Sequence, residues 1–350
     1  MRQCGAVGLF LLAGLAGTQT TTQPSLTDGK GFVLYYQGIE GELVGTDRFE
    51  GIFTGNPLRG ESRQQGLRFS MRRLEGTLRR MPDESYRLLD AEMSGNVVLN
   101  LGQADATPSH ELRSERATLE DKTSSTVVTV PTAFTLTGRV QNVSRYTVTG
   151  QTATAVFGPM GREAPALQRV TASGNVRTRL VTDRGEAGFT APRVTIRPEG
   201  ENVTMTGDGG VNFTYQSREQ QANRVMTIRM TSVSAVVGPG QDPLSSLDGN
   251  GAVTLRLEWT GVPGEGQSRT RMVLTGVGRD LKYRAAQRTL TMRDAQFEGQ
   301  RRVADEGRSA FGTLTAQLLT IQFNEAGEVQ RVVINDPNGL GTLREQPDQP

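Results

Sequence analysis

The sequence predicts an all-β protein, antiparallel and elongated. Three observations predict it. Short runs of alternating apolar and polar residues recur from about residue 92 to 335, and Gly, Asn or Asp signals separate them every ~8–12 residues. Hydrophobic residues make up 35% of the 350 positions and aromatics 5%, while Gly reaches 42. That is too little large apolar surface for a thick core, but enough for stacked β layers that each bury side chains against their neighbours.

The chain opens with Arg2 followed by the apolar run Ala6–Ala16 (AVGLFLLAGLA), with Gly14 and Ala16 as small residues at its end. Residues 1–16 therefore read as a secretory signal peptide, since about 20 residues are needed to span a bilayer. Cleavage would remove Cys4, leaving the mature chain without thiol chemistry; a retained short anchor is the alternative. Residues 17–30 are a polar, flexible lead-in. Phe32–Tyr36 is a first strand. Gln64–Met81 has a helix-like composition, but Leu67, Phe69 and Met71 alternate at period two and Gly76 weakens a helix, so strands are expected.

A phrase then recurs: MSGNVVLNL at Met93–Leu101, ASGNVRTRL at Ala172–Leu180, TGDGGVNFTY at Thr206–Tyr215 and LDGNGAVTLRL at Leu247–Leu257. Each joins a glycine turn to an alternating strand. Gly312–Phe323, a turn at 324–327 and Glu328–Ile334 read as a hairpin. Residues 336–350 read as a disordered tail.

Strand parity sorts the apolar residues into sets: Val97, Leu99 and Leu101; Val194 and Ile196; Val211, Phe213 and Tyr215; Met226, Ile228 and Met230; Val253, Leu255 and Leu257, with Trp259 beyond. Most opposite faces carry Asn, Thr or Arg, the pattern of a sheet wet on one side. Each set is either core or the lining of a groove for an apolar ligand.

Chemistry-bearing residues are sparse. His110 is the one histidine, in a polar stretch (ATPSHELRS) that reads as a surface loop; no nucleophile elbow accompanies it, and a zinc site needs several His or Cys ligands. Asp208–Gly210, Asp248–Gly251 and Asn335–Gly339 read as turns, because none follows the calcium-loop pattern. Paired carboxylates of a glycosidase leave no sequence signature. The net charge of +2 gives no footprint for nucleic acid. The basic cluster Arg72, Arg73, Arg79 and Arg80 is interrupted or followed by Glu75, Asp83 and Glu84, as on a solvated strand face. No enzyme, cofactor or metal is expected.

Ala91–Leu101 (AEMSGNVVLNL), Leu112–Glu120 (LRSERATLE), Ala172–Leu180 (ASGNVRTRL) and Ala187–Ile196 (AGFTAPRVTI) carry a resemblance. Residues 74–215 resemble the OstA-like proteins of lipopolysaccharide export, and weaker echoes reach about residue 335. The resemblance implies a β-jelly-roll folded like a taco over 31–335, as one long unit or two stacked units (about 31–215 and 216–335). It implies a periplasmic carrier that holds acyl chains of lipopolysaccharide or another lipid between two sheets, with the sets above as groove residues. It further implies edge-strand pairing with other OstA-like transport proteins or head-to-tail self-association, and no cofactor. Arg177 and Arg179 suit such a groove only if they face away from it. The competing expectations are a structural or adhesive envelope protein with a solid β core, and an exported carbohydrate-active enzyme.

Overall fold

The computed structural model describes residues 24–350 apart from 64, 102–109, 123, 141–143, 160–166, 183–184, 200–201, 218–221, 238–243, 262–269, 304–308, 325–328, 336–342 and 347–350. Residues 1–23, which hold the stretch read as a signal peptide and the first half of the lead-in, thus lie outside the described residues, while Ser25–Thr27 of that lead-in is strand paired with Val33–Tyr35 and not a flexible linker. Those described form one antiparallel sheet with no helix. Its first part comprises β1 (Ser25–Thr27), β2 (Phe32–Tyr35), β3 (Gly38–Val44), β4 (Arg48–Ser62), β5 (Leu67–Arg80), β6 (Tyr86–Leu101) and β7 (His110–Asp121). Next come β8 (Thr126–Val130), β9 (Phe134–Val140), β10 (Ser144–Gly150), β11 (Thr152–Phe157), β12 (Leu167–Thr182), β13 (Gly185–Glu199) and β14 (Asn202–Ser217). The last are β15 (Ala222–Val237), β16 (Leu244–Gly261), β17 (Thr270–Arg284), β18 (Thr289–Val303), β19 (Ser309–Phe323), β20 (Val329–Asn335) and β21 (Leu343–Gln346).

From β4 to β7 and from β12 to β19 each strand pairs with the next as a hairpin meander. Leu67–Arg80, within the stretch whose composition is helix-like, is accordingly strand, and the expected 312–334 hairpin is β19–β20. β14 and β15 pair along their length, so the sheet runs without a break across residue 215. Leu343–Gln346, within the stretch read as a disordered tail, forms β21 on Phe311–Leu314. β20 covers the other end of β19, and β21 satisfies backbone groups that would otherwise form a bare edge.

The long strands are not straight ladders. On β6 the inward residues are Ala91 and Met93, then Val97, Leu99 and Leu101. Between them Gly95 and Asn96 have φ of 82° and 55°, and the register with β5 and β7 slips there. β5 crosses the same line differently: Arg72 and Arg73 are both exposed between buried Met71 and Leu74. A strand carrying an extra left-handed residue beside one carrying two successive outward residues is a β-bulge, which bends the strand. The device repeats at Gly174–Asn175 of β12, Gly209–Gly210 of β14 and Gly251 of β16, with register slips at each. The glycine "turns" of the repeated phrase are therefore corrected: they lie inside strands, not between them. At Gly95 a Cβ would meet Arg72 Cβ at 2.7 Å, on top of the positive φ.

The aligned bulges form a crease that divides the sheet into two leaves. The first holds β2, β9, β10, Leu67–Met71, Val97–Leu101 and their neighbours in register; the second holds β3, β8, β11, Leu74–Arg80, Tyr86–Met93 and theirs. β7 bonds to β9 with one half and to β8 with the other. The leaves fold over on each other. Gln65 sits at the first leaf's rim, beside the Leu67–Leu101 pair, yet its side chain bonds to the backbone of Leu88. On a flat sheet the stretch of β6 from Leu88 to Leu101 would hold those rims about 40 Å apart. Inward side chains of both leaves merge into one buried cluster.

Candidate functional site

The interior is built from alternation alone, because each strand sends every second side chain inward on both sides of the crease. All of the predicted groove residues point there. Val97, Leu99, Leu101, Val211, Phe213, Tyr215, Met226, Ile228, Met230, Val253, Leu255 and Leu257 line the first leaf, and Val194 and Ile196 the second. They form cross-strand rows, such as Phe213–Ile228–Leu255 and Tyr215–Met226–Leu257. None is more than 5% exposed. The leaves are closed on one another, and their inward side chains join in one buried cluster. Arg177 and Arg179 face solvent, with Val176, Thr178 and Leu180 buried between and beside them.

Parity read from one end missed the facing half of the lining. On β15 the inward set Met226, Ile228 and Met230 gives way after Thr231 and Ser232 to Val233, Ala235 and Val237. Those residues, with Val203 and Met205 of β14, belong to the second leaf. The signal was present as a change of parity after two polar residues.

The leaves meet at a polar rim that sequence reasoning also missed. Gln65 Nε2 donates to Leu88 O at 3.0 Å, and Leu88 N donates to Gln65 Oε1 at 3.1 Å. Gln65 Nε2 also lies 3.2 Å from Asp121 Oδ2. The Asp121 carboxylate is wholly buried, receives Arg87 Nε at 2.6 Å and accepts from Thr126 Oγ1 at 3.0 Å. Nearby, the Asp28 carboxylate orders the β1–β2 turn through Lys30 N and Phe32 N, and accepts from Tyr86 N of the facing leaf at 2.9 Å. Lys30 Nζ donates to Asp83 O. The Phe32 and Tyr86 rings meet edge to face at 6.0 Å.

His110 belongs to this rim and is not a surface-loop residue. It lies in β7, paired with Leu101 on one side and Gly138 on the other. Tyr146 lies across Gly138, where a Cβ would come within 2.4 Å of its ring and hydroxyl. A glycine covered by a neighbouring aromatic ring is a recurrent sheet device. The ring thereby reaches His110, whose Nδ1 is 2.6 Å from the Tyr146 hydroxyl. Phe157, on the opposite leaf, caps the imidazole at 6.0 Å. Burial lowers the His110 pKa to about 4 and pushes that of Tyr146 up. The polar stretch hid this, because the histidine's partners come from β10 and β11, far along the chain.

The outer faces carry the charges. Arg73 pairs with Glu75, Arg79 with Asp47 and Arg80 with Glu84, all exposed. A hollow of about 820 Å³ on the second leaf is lined by Glu40, Glu42, Glu50, Glu75, Asp90, Glu92 and Glu120, with no aromatic ring in its lining. This is where the carbohydrate-active expectation would look for paired carboxylates; they are cross-strand neighbours such as Glu42–Glu50 and Glu75–Glu92. Among the described residues no three His, Cys, Asp or Glu side chains come together as a metal site.

No family model, curated protein or solved structure matches the chain.

Proposed function

We propose that the protein is a non-enzymatic carrier in the cell envelope that takes an acyl chain of lipopolysaccharide or another lipid between its two leaves. One observation carries the reading. A continuous apolar interior, made of the residues in which the OstA-like phrase recurs, is enclosed by two leaves that side chains hold together at the rim. Backbone ladders run within each leaf, so at the rim contacts seen here the leaves part by breaking side-chain bonds while each ladder stays whole. Acyl chains replace the lost contacts. Each buried CH₂ contributes about 0.8 kcal/mol, so a chain of some 12 carbons offsets roughly 10 kcal/mol of opening. The creased sheet is what supports the β-taco form of the jelly-roll.

The ends support the expected partners. Among the described pairings β3 bonds only to β4, and β20 only to β19. Tyr35, Ile39 and Leu43 near one end and Val332 at the other are exposed. Open edges with apolar side chains suit strand addition by another carrier or a second copy.

The solid-core reading, a structural or adhesive envelope protein, is favoured by the near-complete burial of Leu99, Phe213 and Ile228. Photo-crosslinking residues at these three positions separate the two. The carrier reading expects covalent capture of lipopolysaccharide or another acyl lipid from envelope membranes by folded protein. Folded protein that captures no lipid at any of the three sites overturns it in favour of the solid core.

A further inference from the structure

We propose that the His110–Tyr146 hydrogen bond, capped by Phe157, is an acid-released latch on the seam between the leaves. The proposal rests on the carrier reading for its purpose, since it regulates access to that interior. The latch itself stands on seam geometry.

His110 and Phe157 sit on opposite rims: His110 pairs with Gly138 in the first leaf, and Phe157 pairs with Thr126, which pairs with Asp121, in the second. A flat β7 would hold His110 and Asp121 about 36 Å apart, so the ring contact exists only while the leaves are shut. Leu101 and Gly138 flank the imidazole in register, Tyr146 lies beyond Gly138, and Phe157 stands opposite. Of these facing groups Tyr146 alone is titratable, and its hydroxyl is buried. On His110's own strand Glu111 is paired with Arg113, while Asp121 is held by Arg87. No carboxylate among these contacts receives an imidazolium.

With the ring neutral, Nδ1 and the phenol share one hydrogen bond, in which either can be the donor. A second proton on the ring, whichever nitrogen takes it, places a charge between two aromatic rings and Leu101. The imidazole is half-buried in the closed rim, and a charge there without a counter-ion needs more water than the closed rim admits. Water reaches it most readily by parting the rim, where among the described residues side chains rather than a backbone ladder hold the leaves.

The test places spin labels at Arg145→Cys and Glu120→Cys, exposed positions on the first leaf beside the Gly138–Tyr146 pair and on the second leaf beside Asp121, in a chain carrying Cys4→Ser, and reads their separation by pulsed electron resonance. As pH falls from 6.5 toward 4, a longer distance should grow in, and H110Q, which bonds but does not titrate, should stay at the short distance. H110N serves if H110Q fails to give a β-sheet circular dichroism spectrum. An unchanged distance throughout, or equal lengthening in the His110 variant, overturns the latch. Uptake of cis-parinaric acid is measured alongside. Lengthening without uptake at any pH keeps the latch and sinks the carrier; uptake with a pH-independent distance does the reverse.

Discussion

The side chain of Gln65 pairs with both backbone groups of Leu88, donating to its carbonyl at 3.0 Å and accepting from its amide at 3.1 Å. One glutamine thus extends the edge of the second leaf as a strand neighbour would, although its own backbone belongs to the rim of the first. Q65A strands both Leu88 groups at a buried position, and each unsatisfied group costs about 1–3 kcal/mol. Urea unfolding should show Q65A less stable by about 2–4 kcal/mol. A loss below about 0.5 kcal/mol would show that the rim is held elsewhere.

Stability should fall in acid through His110. Its pKa is about 4 in the fold and 6.5 when free. Above pH 6.5 the ring is neutral in both states and costs nothing. Between 6.5 and 4 the unfolded chain binds a proton that the folded chain refuses, so stability drops as pH falls and levels off below 4. The full drop is on the order of 3 kcal/mol. Carboxylates titrate in part of this window, so the measured quantity is the wild-type stability minus that of H110Q at each pH, and a flat difference would contradict the assignment.

The crease should not tolerate side chains at its left-handed glycines. Gly95 and Gly174 have φ of 82° and 81°, and a Cβ would press on Arg72 and Gln151. G95A and G174A should each lose about 1–3 kcal/mol. Gly299 is the control: its Cβ would meet Leu274 at an ordinary 3.5 Å. G299A should be neutral or slightly stabilising by thermal melting, because glycine costs a strand entropy.

Removing interior volume should separate carrier from solid core in one variant. Phe213 is fully buried in its row with Ile228 and Leu255. F213A should lose about 3–5 kcal/mol through the cavity it leaves. If an acyl chain occupies that row, a saturating fatty acid should recover a sizeable part of the lost melting temperature in F213A. No recovery, with binding absent in both forms, would favour the solid core.

Gly138 should prove as necessary to the latch as the histidine. G138A drives a methyl group into the Tyr146 ring, pushing it off the imidazole that it helps to bury and relieving the desolvation that lowers the His110 pKa. The His110 proton resonances should then titrate closer to 6.5 than to 4. An unchanged titration would mean that burial by Phe157 and Leu101 suffices.

The sequence by itself determined which side chains face inward within each half-strand. Val97–Leu99–Leu101 and Met226–Ile228–Met230 were legible because β alternation is local and needs no knowledge of the partner strand. It also carried the bend, since S-G-N-V marks where left-handed backbone is required, but whether such a glycine ends a strand or folds it depends on pairing with neighbours. Only the tertiary structure decided that these glycines align into a crease, that Val233 and Ala235 face the leaf opposite Ile228's, and that Gln65 meets Leu88 and His110 meets Tyr146 and Phe157. The physical reason is range. Alternation is set by successive residues, whereas the crease and the seam come from bonds and contacts between strands far apart in the chain, which folding of the sheet brings together.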